Sequence, residues 1–265
     1  MQRVLGKKQR IANSDWIDAM KRIEDLVTKQ ELEDLEEQTI DSIRKFCKGK
    51  KAAFGWSGGK DSLAIRYVCE QAGIKENLLA ISDLEYPAFK SWCEENKSDA
   101  CEIVDTHQDL DWLKKHPDML FPKGSKEAGT WFHIVQHRAQ AKYYKEHELD
   151  VLLVGRRHAD GNFCGRGHNF YTNGEGITRF SPLADWTHEA VLACIHYHKI
   201  PMPPIYGWKN GYLCGTHPWP ARQWTGSVEN GYKEVYDIDP SIVIEAAGKI
   251  DSANEFLKTI GKEVR

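Results

Sequence analysis

Nowhere in the 265 residues does an apolar run approach the roughly 18 residues that a membrane span requires, and the N-terminal MQRVLGKKQR has no apolar core of a secretory signal. Both absences lead to an expectation of a cytoplasmic protein with no membrane partner. Cysteine is present but never paired in sequence. The seven cysteines (47, 69, 93, 101, 164, 194 and 214) form no C-x-x-C and are odd in number, which excludes a disulfide framework and a cysteine-rich iron–sulfur or zinc knuckle. His158, Cys164 and His168 are the nearest metal-like grouping and read better as loop residues touching substrate or solvent. His133 and His137 share a helical face but lack the neighbouring Glu of a metalloprotease, so no metal site is expected. A large excess of one charge is also missing. The net charge of −3 argues against a broad, non-specific hold on nucleic acid and leaves only a local basic groove open, so nucleic acid stands as an unsupported partner. Internal repeats and low-complexity tracts are absent.

What is there is a chain with 41% hydrophobic residues, enough for one substantial core. Its most informative stretch is Ser57-Gly58-Gly59-Lys60-Asp61-Ser62, placed between an apolar run (Ala52 to Trp56) and an apolar-periodic segment (Leu63, Ala64, Tyr67, Val68). That order predicts a strand, a glycine turn and a helix start. Two glycines let the backbone close on a ligand, and a helix N-terminus directs N–H groups at it, so an anion belongs there. Lys60 adds a point charge, Ser57 and Ser62 add hydroxyls, and Asp61 can cap the helix or reach a metal-bound water. The spacing is not Walker A, G-x-x-x-x-G-K-S/T. The hexapeptide resembles the phosphate loop of the PP-loop family of adenine-nucleotide enzymes, which includes ATP pyrophosphatases and phosphoadenosine phosphosulfate reductases.

Around the loop the chain alternates. Two helices are expected before it, one after Ser14 (Trp16, Ile17, Met20, Ile23, Leu26, Val27) and one through Leu32, Leu35, Ile40, Ile43 and Phe46. A helix over 61–73, a strand over 77–83, a helix over 87–97, a strand over 101–105, a helical segment over 129–147 and a strand over 151–155 follow. This is the pattern of an α/β protein: a doubly wound, mainly parallel five-stranded sheet with helices on both faces, plus N-terminal helices and an irregular C-terminal segment. Ligands of such sheets sit beyond the carboxyl ends of the strands, where Ser57, Ser82, Asp83, Asp105 and Arg156 are expected to converge. Residues 201–227, rich in proline and holding Trp208, Trp219 and Trp224, read either as a lid or as packing for a C-terminal helix over about 240–259. Three segments are expected: an N-terminal helical extension over 1–48, a nucleotide-binding domain over 49–227 and a C-terminal helical segment over 228–265. The N-terminal helices are where a homodimer contact would be sought.

A second constellation begins at Gly155-Arg156-Arg157-His158, directly after the 151–155 strand, so both arginines are expected at the ligand end of the sheet, where a planar guanidinium suits phosphate or sulfate. Ser181-Pro182-Leu183-Ala184-Asp185-Trp186, Pro203-Pro204-Ile205-Tyr206, Gly211 to His217 and Arg222-Gln223-Trp224 follow. In this order the segments resemble the phosphoadenosine phosphosulfate reductases over about residues 45–225. The resemblance implies the adenine nucleotide alpha hydrolase-like fold. It implies that Ser57, Gly58, Gly59, Lys60, Asp61, Ser62 and Gly155 hold phosphates, with Ser82 and Asp83 near adenine or ribose. It places Arg156, Arg157, His217 and Arg222 on the nucleotide's anionic groups, while Asp185 and Trp186 shape the pocket floor.

The departures are informative. Those reductases end in a Glu-Cys-Gly-Leu/Ile-His motif carrying the nucleophile, and residues 251–265 contain no cysteine. Cys214, in Leu213-Cys214-Gly215-Thr216-His217, resembles that motif only superficially. Three readings stay open. In the first, ATP is cleaved between the α and β phosphates to adenylate an unidentified second substrate, with Lys60, Asp61, Arg156 and Arg157 as the catalytic set and Mg²⁺ bridging phosphate oxygens. In the second, a sulfonucleotide (PAPS) is reduced through Cys214, with thioredoxin as partner and sulfite as product. In the third, the chain is a nucleotide-binding module without chemistry.

Overall fold

The computed structural model describes residues 1–121, 124–219 and 226–262. The chain divides into two compact units, one of residues 1–80, 93–104 and 140–203 and one of residues 81–92, 105–139 and 204–265. These borders divide the chain differently from the three segments expected above.

The first unit is built on β1 (Ala52–Gly55), β2 (Asn77–Ile81), β3 (Cys101–Asp105), β4 (Val151–Leu153), β5 (Phe170–Thr172) and β6 (Thr178–Phe180). They form one sheet in the order β3-β2-β1-β4-β6-β5, with β1 parallel to both β2 and β4 and β4 parallel to β6. The sheet therefore has six strands rather than the expected five. The added edge is a hairpin in which β5 runs antiparallel to β6, with Phe170 opposite Phe180 and Tyr171 opposite Arg179. Strand β4 is buried at every residue, as its unbroken apolar run requires of a central parallel strand.

The two expected N-terminal helices are three: α1 (Asn13–Lys21), the single turn α2 (Ile23–Leu26) and α3 (Lys29–Cys47). Helix α3 starts at a reciprocal cap, Glu31 N donating to Thr28 Oγ1 at 3.3 Å and Thr28 N to the Glu31 carboxylate at 3.0 Å. Helix α4 (Lys60–Ala72) stops at Gly73, whose φ of +91° suits a residue without Cβ. After α5 (Pro87–Asn96) and α6 (Leu110–Lys115), the helical segment expected over 129–147 is α7 (Ser125–Phe132), a π-helical stretch His133–His137 and α8 (Arg138–Glu146). Helix α9 (His188–Tyr197), capped by Thr187, is buried over His188–Ile195. It packs on the N-terminal helices, and the buried Glu36 of α3 meets His198 Nε2 at 2.9 Å.

In the second unit the helix expected over about 240–259 is broken into α11 (Pro240–Ala247) and α12 (Asp251–Thr259), preceded by α10 (Val228–Ile238). Asp239 caps α11 and Pro240 opens it, which ends α10 at that point. Its core is aromatic: Phe121, Trp219 and Tyr232 meet edge to face, and Tyr232 stacks on Phe256. A Cβ on Gly231 would stand 2.6 Å from the Phe121 ring, so this position needs glycine. Among the described residues no helix is long and apolar enough to cross a membrane.

Candidate active site

The phosphate loop leaves β1 at its carboxyl end and enters α4 through Gly58, at φ +67°, and Gly59, the N-cap in extended conformation. A left-handed residue followed by an extended one turns the chain within two residues, a path glycine takes without strain. Ser62 closes the turn, its N–H and its Oγ both donating to the Gly59 carbonyl at 2.8 Å. Ser57 is half-buried at the strand end.

Lys60 and Asp61 lie in a buried ionic network rather than in an open pocket. The Lys60 ammonium is 2.8 Å from Asp61 Oδ2 and 4.9 Å from the Trp16 ring centroid. Arg157 is fully buried and spans the network: Nε and Nη2 donate to Asp61 Oδ1 at 2.8 and 2.7 Å, Nη2 meets Asp160 Oδ2 at 2.9 Å, and Nη1 donates to the Trp186 carbonyl at 3.2 Å. Its Nη2 also lies 3.1 Å from His188 Nδ1, while Lys8 reaches the far oxygen of Asp160 at 3.4 Å. Burial opposes ionisation of Asp61, but the charges of Lys60 and Arg157 outweigh it and hold the carboxyl well below its usual range. Burial lowers the Lys60 ammonium, with Asp61 opposing the shift. Burial, then Arg157 and Lys60, push His188 down to about 4, so it is neutral and accepts from Arg157.

The N-terminal segment is tied to the same network, which the sequence alone did not indicate. Val4 N and Leu5 N donate to the buried Glu189 carboxylate at 2.8 and 2.7 Å, and Trp16 meets His188 edge to face. Lys8, through Asp160, and Trp16, through Lys60, thus join the N-terminal segment to the network, and Glu189 anchors Val4 and Leu5 beside it.

Gly155 has a packing reason for its identity. A Cβ there would lie 3.0 Å from the Asp61 carbonyl oxygen and 3.2 Å from its carbon, both rigid backbone atoms. Gly155→Ala is expected to push the end of β4 away from the first turn of α4 and to cost about 1–3 kcal/mol, the usual range for overpacking. Urea unfolding at pH 7 checks this, and a loss below a few tenths of a kcal/mol would show that the contact relaxes freely.

Arg156, one residue from the buried Arg157, is half-buried, and its Nη1 donates to the Tyr171 hydroxyl at 2.6 Å. Successive residues leaving a strand point to opposite sides, which separates the two arginines into different roles.

The remaining expected site residues that are described belong to the second unit. Ser82 is buried, its Oγ accepting from Leu84 N at 3.3 Å, and Asp83 is exposed with Lys90 at 3.5 Å. His217 is buried and accepts from Trp131 Nε1 at 2.5 Å, and burial lowers it to about 3. His217 is therefore neutral, with Nε2 as acceptor. Beside it, the buried Glu85 carboxyl accepts from Thr216 and from the Ser82 N–H, and burial raises it to about 7. Nothing in the sequence around Glu85 signals this. Cys214 Sγ donates to the Asn210 carbonyl at 3.1 Å. Arg222 and Trp224 lie outside the described residues. Among the described residues, ligand-type atoms gather within 4.8 Å at Glu36, Cys194 and His198 and at Asp83, Asp105 and His107, neither group noted from sequence, and not at His158, Cys164 and His168.

A strand, a Ser-Gly-Gly turn and a helix at the carboxyl end of a central parallel strand, in a mainly parallel sheet flanked by helices, define the chain's class as an α/β protein. Within that class the chain belongs to the phosphoadenosine phosphosulfate reductase domain family, whose model matches residues 51–214. Among solved structures it is similar to the phosphoadenylyl-sulfate reductase of Candida auris in its phosphate complex, at 15% identity over 69% of this chain and 94% of that one, with a TM-score of 0.49. It is also similar to the NMN synthetase of Francisella tularensis (14% identity, 88% of each chain, TM-score 0.47). A third is the U34-tRNA thiolase of Methanococcus maripaludis (16% identity, 85% of this chain and 80% of that one, TM-score 0.45). No curated protein matches the chain.

Proposed function

We propose that the protein binds ATP at residues 57–62 and cleaves it between the α and β phosphates, adenylating a second substrate and releasing pyrophosphate. The observation that carries this reading is the backbone of the loop: a left-handed Gly58 and an N-cap Gly59 at the start of a 13-residue helix, a shape that offers N–H groups and a favourable dipole to phosphate oxygens.

The roles divide by burial. Loop N–H groups and Ser57 hold phosphate. Lys60, Asp61, Arg157 and Asp160 fix the loop from behind, and Arg156, half-buried at the end of β4, offsets charge on the nucleotide. The Asp61 carboxylate, engaged by Lys60 and Arg157, does not fit a direct Mg²⁺ ligand, so no step is assigned to a protein-held metal; Mg²⁺ would arrive on the nucleotide's own oxygens.

The family supports a second reading, reduction of PAPS, for which Cys214 would have to serve as the nucleophile. Calorimetric titration with ATP plus Mg²⁺ and with PAPS, scoring AMP, pyrophosphate and sulfite in the same samples, separates the two. The expected result is ATP binding that weakens at least tenfold in Gly58→Val, where a branched side chain must adopt φ +67°, together with pyrophosphate once an acceptor is supplied. Sulfite from PAPS that disappears in Cys214→Ser would overturn the adenylating reading, and binding without any product would make the chain a nucleotide-binding module.

A further inference from the structure

The hairpin that the sequence concealed carries an arginine whose surroundings are incomplete. Tyr171 of β5 and Arg179 of β6 are directly paired across the antiparallel ladder, so their side chains share one face of the sheet. Phe180, next in β6, stacks on Phe46 of α3, which places Arg179 on the face away from α3. Arg156 arrives from the end of β4 and donates to the Tyr171 hydroxyl at 2.6 Å, its guanidinium 6.0 Å from that ring's centroid. Arg179 is 3% exposed and also reaches the Tyr171 hydroxyl, and its Nε has no hydrogen-bond partner among the described residues.

Two guanidiniums thus converge on one phenol oxygen. Arg157 shows how this chain closes a buried arginine, with carboxylates at 2.7 and 2.9 Å. No carboxylate of the described residues stands within ion-pair distance of Arg179; Glu175 acts on it only through a longer-range field. A buried guanidinium retained with a neutral oxygen as its partner is under-compensated, and a tetrahedral oxyanion, with several acceptor oxygens, matches the forks of two arginines better than one hydroxyl does. Tyr171 and Arg156 are both half-buried, which leaves the cluster reachable from solvent on their side.

We propose that Arg156, Arg179 and Tyr171 form an oxyanion subsite that takes a phosphate or sulfate group. The subsite stands without the nucleotide reading; only the identity of the molecule that carries the anion rests on it. The anion comes either from the nucleotide itself or from an acidic second substrate.

The test is calorimetric titration with sodium sulfate and sodium phosphate, at ionic strength held constant with chloride, of the wild type and of Gly58→Val, Arg179→Gln, Arg156→Gln and Tyr171→Phe. The expected result is a sulfate site that persists in Gly58→Val and weakens tenfold or more in Arg179→Gln and in Arg156→Gln. Should Arg179→Gln fail to fold, the half-buried Arg156→Gln and Tyr171→Phe still report, since neither removes a fully buried group. Sulfate binding that Gly58→Val abolishes and both arginine variants leave unchanged, or no binding beyond that of chloride, would overturn the subsite. Repeating the titration in saturating ATP identifies the source: loss of the arginine-dependent sulfate heat assigns the anion to the nucleotide, and its retention assigns it to the second substrate. A chain that binds sulfate through Arg179 but does not bind ATP would keep the subsite and refute the nucleotide reading.

Discussion

Arg157→Ala is expected to lower the stability of the protein by about 3–5 kcal/mol, the range for removing one partner of a buried ion pair. The size follows from what stays behind. Asp61 and Asp160 would keep their positions with one guanidinium fewer between them, and Asp160 is nearly as buried as Arg157. Lys60 still faces Asp61 and Lys8 still faces Asp160, but the Lys8 contact is long, at 3.4 Å, and Lys8 is half exposed. Asp160 is therefore the group left most nearly uncompensated. The Trp186 carbonyl and His188 Nδ1 each lose a donor as well. Arg157→Lys keeps the charge but offers no fork to bridge two carboxylates, so it should recover only part of the loss. Adding Asp160→Asn to Arg157→Ala should recover more, because it removes the stranded charge. Urea unfolding of the three variants decides the matter, and a loss under about 1 kcal/mol for Arg157→Ala would mean that the network opens to water and is not a rigid support for the loop.

The adjacent Arg156 and Arg157 show where sequence reading ends. The loop was legible because its signals are local: two glycines, a preceding apolar strand and a following helical periodicity fall within about 15 residues. Identical neighbouring residue types carry no such signal. Which of the two arginines turns inward depends on Asp61, about 100 residues earlier, and on His188, about 30 residues later. Lys60 reads as a phosphate ligand from its place in the loop, yet Trp16, brought by an N-terminal helix, lies beside it and Asp61 holds it. The β5–β6 hairpin escaped notice because three residues per strand are too few to show alternation. Its turn did carry a signal. Asn173-Gly174 opens it, Asn173 Oδ1 accepts from Ile177 N at 2.9 Å, and Gly176 takes φ +78°. The start of α11 was legible in the same way from Asp239-Pro240, whereas the break between α11 and α12 was not, and neither was the aromatic cluster of the second unit, since Phe121, Trp219 and Tyr232 come from distant segments.

Glu85 is expected to make the protein less stable as pH rises toward 7, by up to about 3 kcal/mol, against the trend that His217, next in chain to the Thr216 that bonds Glu85, imposes. The folded carboxyl ionises near 7 and the unfolded one near 4.5, so between these values the unfolded chain has released a proton that the folded chain keeps. Raising the pH therefore favours the unfolded state across that window. Burial is the main cause, with Asp105 adding to it and Thr216, the Ser82 N–H and Lys90 opposing. His217 works in the other direction. Its folded value of about 3 lies below the usual 6.5 because burial disfavours the charge, so stability falls as pH drops below 6.5. From 4.5 to 6.5 the two slopes oppose each other; below 4.5 the histidine acts alone, and above 6.5 the carboxyl does. Glu85→Gln isolates its share, since the amide can still accept from Thr216 and from the Ser82 N–H without ionising. Urea unfolding of both proteins from pH 4.5 to 8 should show the wild type losing about 3 kcal/mol relative to Glu85→Gln over that range, most of it before pH 7. A difference constant to within about 0.5 kcal/mol would mean that Glu85 ionises at an ordinary value in the folded protein, and water would then have to reach its second oxygen.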